Sequence, residues 1–345
     1  MTVTPKVLPE APDEADVLTD ILGVVRLRGD LFLRSEFREP WTVVTPTKRE
    51  LIEVLEPRAH TFVLFHMVVE GTCEVELDDG EVVVLEAGEL IVFPECDVHR
   101  VRGGVGVPTP IVKLLSRRTV DGLFRINHGG TGARTRLVCG YLACDDPFVP
   151  LTTVLPSAIC LRPADDGVSL TAPGSASEAH LPPHAARWLS STLEYAMAQA
   201  TDAAPGGRAL LTRLSEAILV EILRQFLRNA QTGPGLLAAV ADPQVGRALR
   251  ILHGSPSRNW DVSALARTVG MSRSVFAERF TTLVGEAPMH YLRRWRMQLA
   301  RALLRDESRS IAEVATAVGY QSESAFSRAF RRVVGEAPAA FRSRK

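Results

Sequence analysis

Two histidines and two cysteines in the first third of the chain have the side chains best suited to chemistry. Cys96 and His99 are spaced as Cys-x-x-His, and His66 and Cys73 precede them. Imidazole nitrogens and thiolate sulfurs are ligands that a transition metal such as zinc accepts in tetrahedral sites. An imidazole beside a thiol can also lower the thiol pKa and make the sulfur sensitive to oxidation. The sequence therefore predicts either a metal site or a redox-sensing Cys96 among these four residues.

A third interpretation assigns the same residues to packing around a pocket for an organic effector. That pocket would hold no metal, and His99 would be a core residue with satisfied hydrogen bonds. Cys139 and Cys144 lie on a predicted strand and are interpreted as packing residues. The incomplete set of ligands argues against a metal-dependent enzyme. We therefore predict that the chain is not an enzyme and assign no catalytic residue.

The residues around these side chains predict the short strands that would position them. Apolar or alternating runs are broken by Gly, Pro and Asp, and Asp79-Gly80 between two of them is a strong hairpin signal. The predicted strands include Phe62–Val69, Cys73–Leu77, Val82–Leu85, Leu90–Phe93 and one around Arg136–Leu142. Closely spaced short strands indicate a sandwich or barrel. We place it at residues 16–165, after a disordered tail at residues 1–15.

Two helices are predicted within residues 166–232, ahead of a linker at residues 233–241. In the longer helix, apolar residues at spacings of three and four form one stripe: Leu211, Leu214, Ile218, Ile222 and Phe226. The stripe has two interpretations. It either packs on the chain's own barrel or forms a dimer interface.

Charge divides the chain into an acidic and a basic part. The whole sequence carries 40 Lys and Arg residues and 40 Asp and Glu residues, a net charge of zero. Residues 242–345 hold 18 of the positive and 9 of the negative residues, which leaves 22 and 31 for the remainder. This asymmetry is expected when only one domain faces the phosphates of a nucleic acid.

An internal repeat lies within the basic part, with its two copies about fifty residues apart. Ala266–Met271 matches Ala315–Tyr320, and Val284–Pro288 matches Val334–Pro338 without a gap. A stacked array needs at least three copies. Two copies therefore indicate a duplicated small domain.

Each copy has the pattern of a helix-turn-helix unit. The first helix ends in Gly270 or Gly319, which can adopt the left-handed backbone of a sharp turn. Ser272 or Ser322 follows and can cap the second helix. That second helix has Phe-x-x-x-Phe on one face and short polar residues on the other. The polar face predicts a helix that can enter the major groove of DNA.

A long helix is predicted between the copies, at Pro288–Leu304. One face is apolar, and the other carries four arginines: Arg293, Arg294, Arg296 and Arg301. Such a helix would fix the separation of the two units. For both second helices to reach one face of DNA, they must lie about one turn, or roughly 34 Å, apart.

Seven runs cover most of the basic domain: Trp260–Ala266, Gly270–Ser272, Phe280–Pro288, Tyr291–Ala300, Ile311–Ala315, Gly319-Tyr320 and Ser324–Phe330. Together they make residues 242–345 resemble the DNA-binding domain of the AraC/XylS family of bacterial transcription regulators. In that family the first half of each second helix reads bases. The resemblance therefore implies base contacts from Arg273, Ser274, Ala277, Glu278, Glu323, Ser324, Ser327 and Arg328. Ala277 and Glu278 offer guanine no cationic contact.

A second resemblance lies in the N-terminal part. Gly88 to His99 resembles the second motif of cupin barrels, Gly-x5-Pro-x-Gly-x2-His, with Cys96 in the place of its second glycine. Phe65–Gly71 resembles the first motif but lacks the usual metal-binding pair of histidines and the carboxylate. The resemblance is to the cupin-like sensory domain often found ahead of AraC-like DNA-binding domains. It implies an effector-sensing domain at residues 16–165, and dimerisation through the helices that follow.

The expected fold class is multidomain α+β. It comprises an N-terminal cupin-like β-barrel followed by helices, and a C-terminal all-α domain with two helix-turn-helix units. The expected function is a sequence-specific DNA-binding transcription factor that regulates promoters in response to a small-molecule or oxidative signal. The family favours activation.

The expected partners are double-stranded promoter DNA, RNA polymerase, a small-molecule effector and a second copy of the chain in a homodimer. No apolar signal-peptide core and no apolar run of roughly 18–20 residues occurs. A cytoplasmic location without a membrane partner is therefore expected. Two competing classes are a metal-dependent cupin enzyme with an accessory helical domain and a protein-interaction scaffold. The scaffold would show no preference among DNA sequences.

Overall fold

The computed structural model describes residues 16–24, 28–57, 59–115, 123–144, 155–165, 167–174, 178–179, 181–201, 205–229 and 235–343. The chain forms two compact units. One, the barrel unit, is Arg26–Thr232, and the other, the helical unit, combines Met1–Val25 with Gly233–Lys345. The tail predicted at residues 1–15 lies outside the described residues.

The strands of the described chain all belong to the barrel unit. They are β1 Arg28–Arg38, β2 Trp41–Val44, β3 Thr61–Glu70, β4 Thr72–Glu76, β5 Val82–Glu86, β6 Leu90–Phe93, β7 Arg100–Gly103, β8 Pro108–Pro110, β9 Phe124–Gly129, β10 Arg134–Cys144, β11 Ile159–Ala164, β12 Gly167–Thr171 and β13 Glu178–Ala179. They form an eight-stranded sheet in the order β13-β12-β11-β6-β3-β10-β1-β9. A five-stranded sheet has the order β5-β4-β7-β2-β8.

The helices are divided between the two units. They are α1 Val17–Val24, α2 Lys48–Leu55, α3 Pro183–Thr201, α4 Gly207–Asn229, α5 Leu236–Ala241, α6 Pro243–Gly254, α7 Val262–Thr268, α8 Arg273–Val284, α9 Pro288–Leu304, α10 Ile311–Ala317, α11 Glu323–Val334 and α12 Pro338–Ser343. Within the described residues, none of these helices is both long and apolar enough to cross a membrane.

Apolar side chains from both sheets share one core inside the barrel unit. Because successive strand residues point to opposite faces, Phe62 and Leu64 of β3 lie in this core. Trp41 stacks on Phe37 with ring centroids 4.2 Å apart, and Phe62 stacks on Tyr141 at 4.8 Å. Large aromatic side chains therefore fill much of the space between the sheets.

The predicted hairpin is present between β4 and β5. The two strands pair antiparallel from Thr72 opposite Glu86 to Glu76 opposite Val82. Gly80 in the turn has a φ of 87°, which glycine adopts without a steric penalty. The hairpin prediction is confirmed.

Helices α3 and α4 cover the outer face of the eight-stranded sheet. Leu211, Ile218 and Ile222 of the α4 stripe are buried there. The apolar stripe therefore packs against its own barrel unit, the first of its two interpretations. The side chain of Phe226 lies outside the described residues.

The structure differs from the sequence expectation at three boundaries. β12 and β13 lie within residues 166–232, where only helices and a loop were expected. The alternation of β12 is clear, with Val168 and Leu170 buried, but the strand is too short to stand out among its Pro- and Gly-rich flanks. α5 lies inside the expected linker at residues 233–241, and α1 belongs to the helical unit.

Helix α1 packs on α6 and α9 of the helical unit. Its Val17 and Ile21 side chains are buried, and Asp20 approaches the buried His253 ring at 3.4 Å. The His253 ring stacks on Trp295 with centroids 3.9 Å apart. A short amphipathic segment, remote in sequence, thus completes this core.

The repeat predicted from the sequence is present in three dimensions. Phe276 and Phe280 of α8 are fully buried, as are Phe326 and Phe330 of α11. Both helices end at a glycine in the left-handed conformation. A cupin-like strand-rich unit and an all-α unit with two helix-turn-helix motifs confirm the expected fold class.

Candidate nucleic-acid interface and buried histidine pair

Serine caps fix the start of both second helices. The hydroxyl of Ser272 accepts a hydrogen bond from the backbone N–H of Val275, and that of Ser322 accepts one from Ala325. The turns before these caps contain Gly270 with a φ of 72° and Gly319 with a φ of 83°. The cap satisfies one N–H of the first helical turn, and the N–H groups that have no partner within a helix favour an approaching phosphate or base acceptor.

The predicted base-reading residues lie beside the face that carries the buried phenylalanines, on the solvent side of each helix. Six of them are exposed and two are half-buried; in chain order they are Arg273, Ser274, Ala277, Glu278, Glu323, Ser324, Ser327 and Arg328, with Ala277 and Ser327 the half-buried pair. The helical period places residues one, two, five and six of each helix on one side. The structure therefore presents both predicted sets at matching positions.

The four charged residues of the predicted sets are free to meet a ligand. Within the described chain, no ion pair is formed by Arg273, Glu278, Glu323 or Arg328. Ser274 lies 3.4 Å from the capping Ser272 hydroxyl, and the equivalent pair in the second unit is 3.3 Å apart. The same pair of serines therefore recurs at the start of both helices. The arginine of the predicted set is the first residue of α8, Arg273, but lies near the middle of α11, at Arg328.

The four arginines predicted to share an outward face of α9 have different environments. Arg293 is exposed, but Arg301 is buried over the Phe341 ring. Arg294 pairs with Glu286, and Arg296 donates to the backbone carbonyls of residues 256 and 258. Three of the four arginines, Arg294, Arg296 and Arg301, thus contact other residues of the helical unit itself. The apolar face of α9 is wider than the sequence pattern indicated, because α9 packs against both helix-turn-helix units.

In the barrel unit, the structure brings His66 and His99 together. Their Nε2 atoms lie 2.8 Å apart, and both rings are buried. His99 Nδ1 lies 2.8 Å from the carbonyl oxygen of Asp97, so that nitrogen carries the proton. His99 Nε2 must then accept a hydrogen bond from His66 Nε2–H. The remaining His66 nitrogen, Nδ1, accepts from the Cys139 thiol at 2.8 Å.

These contacts form one directed chain of hydrogen bonds in which both rings are neutral. Burial lowers the pKa of His99 to about 4. Burial, reinforced by the neighbouring ring, lowers the pKa of His66 well below its usual value. Burial also raises the pKa of the Cys139 thiol, which therefore keeps the proton that it donates. The cluster is a satisfied polar network within an apolar core.

The donor atoms do not converge as a metal site would require. Two nitrogens bound tetrahedrally at about 2.0–2.1 Å from zinc lie more than 3 Å apart, but these two lie 2.8 Å apart in a direct hydrogen bond. Cys139 contacts the opposite nitrogen of His66. Within the described chain, no group of three or more His, Cys, Asp or Glu side chains has metal-binding geometry. The residues present do not fit zinc.

Cys96 does not have the properties of a reactive thiol. Burial raises its pKa to about 12, and the side chain is 1% exposed. The expected lowering of this pKa by His99 or His66 is therefore wrong, because burial outweighs any nearby positive charge and both rings are neutral. Burial likewise raises the pKa of Cys73 to about 12. Cys96 has a φ of 59°, in the left-handed region that glycine favours, and it stands where the cupin motif has glycine.

Cys139 and Thr45 are the members of this cluster that the sequence did not reveal. Cys139 faces His66 across the β10–β3 pair, and the Thr45 hydroxyl donates to the His99 carbonyl. Strand register decides both contacts. Alternation alone shows that Cys139 points inward but cannot show which residue lies beside it.

A strand-rich barrel unit with a helical unit that presents two capped, outward-facing helices defines a two-domain helix-turn-helix transcription regulator. A cupin family profile matches residues 16–178 and 176–228, and a helix-turn-helix domain profile matches residues 265–344. A protein named as an AraC-like transcription regulator in Streptomyces lividans is 30% identical over 331 residues, 95% of this chain and 98% of that protein. The chain belongs to the AraC-like family of transcription regulators.

Two other relatives also extend over both units. The transcriptional regulator AlkR of Acinetobacter baylyi is 27% identical over 82% of this chain and 89% of its own length. The RCS-specific transcriptional activator RclR of Escherichia coli is 24% identical over 81% of this chain and 84% of its own length. The DNA-binding domain of AdpA, solved in complex with a target DNA, is 35% identical over 30% of this chain and 91% of that domain, with a TM-score of 0.28.

Proposed function

We propose that this AraC-like regulator binds specific promoter sequences through the first halves of α8 and α11, under the control of a small molecule sensed by the barrel unit. One observation carries the DNA-binding part. Two helices of equal length, capped in the same way, expose Arg273 and Arg328 without an ion-pair partner in the described chain. A regulator of this kind acts by binding, without chemistry on a substrate.

The two kinds of positive charge have different roles in this proposal. Arg328 lies on the outward face of α11 and can donate two hydrogen bonds to the O6 and N7 atoms of a guanine. Arg293 lies on the connecting helix, where it can reach only the phosphate backbone in our proposal. Contacts to phosphates add affinity for every sequence, whereas contacts to base edges discriminate between sequences.

The described residues of the barrel unit favour an organic effector over a bound metal or an oxidant as the signal. The neutral His66–His99 pair lacks the geometry of a metal site, and the buried thiols are held protonated. A protonated, buried thiol is a poor nucleophile for oxidants. A small molecule that binds without a metal and without thiol chemistry therefore fits these residues best.

A homodimer would have to use a surface other than the α4 stripe, which is already buried. Helix α3 exposes Trp188 and Tyr195, seven residues apart on the same face. Large exposed aromatic side chains are common anchors of protein interfaces. We therefore assign dimerisation to the outer face of α3, and place the regulator in the cytoplasm, where it would meet promoter DNA and recruit RNA polymerase.

The test is selection of binding sites from a random double-stranded DNA library by the full chain at near-physiological salt. We expect a motif with two short elements about one helical turn apart. Arg328→Ala should lose discrimination at one base of one element by roughly 5- to 150-fold, the value of a bidentate pair worth about 1–3 kcal/mol.

Arg293→Ala is the matched control. It removes the same side chain from an exposed position outside the second helices, so it should weaken all sequences alike and leave the motif unchanged. If Arg328→Ala also left the motif unchanged, α11 would not read bases as proposed. If the folded full chain enriched no motif, the proposal of sequence-specific binding would fail.

A further inference from the structure

One residue of the helical unit, Asp242, connects three of its helices. Its backbone N–H donates to the carbonyl of Ala238 and closes the C-terminus of α5. Its carboxylate oxygen Oδ1 accepts hydrogen bonds from the backbone N–H groups of Gln244 and Val245 and so caps the N-terminus of α6. The other oxygen, Oδ2, accepts two hydrogen bonds from Arg279 of α8, at 3.0 Å from Nε and 2.6 Å from Nη2. Asp242 therefore lies where α5, α6 and α8 meet.

The ion pair between Asp242 and Arg279 is partly shielded from water. Burial raises the pKa of Asp242, but hydrogen bonds from Val245, Arg279 and Gln244 outweigh burial and keep that pKa below its ordinary value. The Asp242 side chain is 10% exposed, and that of Arg279 is 46% exposed. A partly buried pair is screened by salt much less than a pair on an open surface. The pair therefore restrains α8 against the junction of α5 and α6 at physiological salt.

Helix α5 adds apolar packing to the same junction. It lies inside the expected linker and packs against both α6 and α8. Its Leu236 and Ala239 side chains are buried. Gly246 of α6 allows the end of α5 to approach closely, because a Cβ there would lie 2.3 Å from the carbonyl oxygen of Val240. The first of the two proposed base-reading helices is thus supported directly by the linker helix.

The second helix-turn-helix unit has alanine at both positions of this ion pair. Each unit begins with a helix that has proline in its first turn. The residue that caps this helix is Asp242 in the first unit but Ala287 in the second, where no side chain accepts a hydrogen bond from the helix. The seventh residue of the second helix is Arg279 in α8 and Ala329 in α11. The pair therefore distinguishes α8 from α11, although the two helices are otherwise built alike.

We infer that Asp242 and α5 position α8 for reading DNA, and that α11 reads DNA independently of them. This inference rests on the proposed function, because it concerns how α8 meets the bases. A specific contact needs its side chain held to within about 0.5 Å, so a helix released from its support loses discrimination before it loses its fold. Because α5 follows the barrel unit in the chain, the same contacts make α8 the helix on which a signal carried through the chain acts.

The test compares the two elements of the DNA motif selected by the full chain. Arg328→Ala identifies the element read by α11, so the other element belongs to α8. Fluorescence anisotropy gives the affinity for the selected duplex and for duplexes substituted in one element, and the ratio is the preference for that element. Asp242→Asn keeps an oxygen that caps α6 but removes the charge that holds Arg279. It should lower the preference for the α8 element roughly threefold or more and leave that for the α11 element unchanged.

Two further variants test the ion pair and the linker helix separately. Arg279→Gln removes the other partner at an exposed position and should reproduce the loss at the α8 element. The double variant Asp242→Asn with Arg279→Gln should lose no more than either single variant, because both changes break one interaction. Leu236→Ala loosens α5 with the pair left in place, and it should also lower the preference for the α8 element alone.

Asp306→Asn is the matched control. It makes the same substitution at another aspartate of the helical unit, which accepts from the backbone N–H of Ser308 and pairs with Arg309 ahead of α10. It should change the preference for neither element. The control thus separates the position of the charge from the loss of a carboxylate as such.

The inference is overturned if Asp242→Asn and Arg279→Gln keep both preferences, or if they lower both alike, as a general loss of folded structure would. Unchanged preferences in Leu236→Ala would refute the part assigned to α5. A parent chain that selects no motif would contradict the proposed function and this inference together. Two elements in the parent chain, both left intact by Asp242→Asn, would refute this inference alone.

Discussion

Lowering the pH should destabilise the barrel unit through its buried histidine pair. In the unfolded chain His99 takes up a proton near its usual pKa of 6.5, whereas in the folded barrel its pKa is about 4. Between these two values the unfolded state binds more protons, so stability falls as the pH falls from 6.5 to 4. At about 1.36 kcal/mol for each tenfold change in proton affinity, His99 alone accounts for a loss of roughly 3 kcal/mol. The lowered pKa of His66 acts in the same direction.

The cysteines offer an assay that is specific for this unit. All five lie in the barrel unit, and all are buried free thiols. Their reaction with 4,4′-dithiodipyridine in increasing urea, at a series of pH values from 7 to 4.5, reports barrel unfolding without a signal from the helical unit. We expect the urea midpoint to fall steadily through this range.

A double variant, His66→Leu with His99→Phe, separates the histidines from the carboxylates that also titrate in acid. It replaces both interacting rings by apolar groups, so neither is left with an unsatisfied partner across the pair. Its free energy of unfolding should fall less between pH 7 and 4.5 than that of the parent chain, by at least the loss assigned to His99 alone. Equal pH dependence in the two proteins would refute the neutral, directed hydrogen-bond chain.

Two further predictions concern a turn and a surface. Gly319→Ala should destabilise the helical unit more than Gly270→Ala in a urea titration followed by circular dichroism. At both positions the positive φ makes an alanine cost about 1–2 kcal/mol. At Gly319 the added Cβ would also lie 2.7 Å from a backbone carbonyl oxygen, whereas at Gly270 it would meet open space. Equal losses would contradict the clash. Replacing Trp188 and Tyr195 by serine should raise the dimer dissociation constant at least tenfold in sedimentation equilibrium; an unchanged constant would remove α3 from the interface.

The helical unit was largely predictable because its signals are local. The serine caps, the turn glycines and the Phe-x-x-x-Phe spacing each act within a dozen residues, and the structure shows all of them. The contribution of α1 was not predictable in this way. Its docking against α6 depends on a contact between residues more than two hundred positions apart, such as Asp20 with His253.

The barrel unit was predictable in architecture but not in its interior chemistry. Alternation shows which face of a strand is buried, whereas a shift of one residue in register would give His66 a different neighbour. Sequence analysis therefore chose Cys96 as the thiol beside the histidines, because it is close to His99 along the chain. The thiol that contacts His66 is Cys139, which is 73 residues away in sequence but directly opposite His66 on the neighbouring strand. The same limit applies to the α4 stripe, whose packing partner is decided by the tertiary fold.

The charge of the helical unit is also distributed differently from what its composition indicates. Of the 18 basic residues at positions 242–345, Arg279 is paired with Asp242, and Arg294 is paired with Glu286. Arg296 and Arg301 are held within the unit. Arginines that stabilise the fold release no counterions when DNA binds, because they do not neutralise phosphates. The salt dependence of DNA binding should therefore follow the smaller set of exposed arginines, and the composition of residues 242–345 sets only its upper limit.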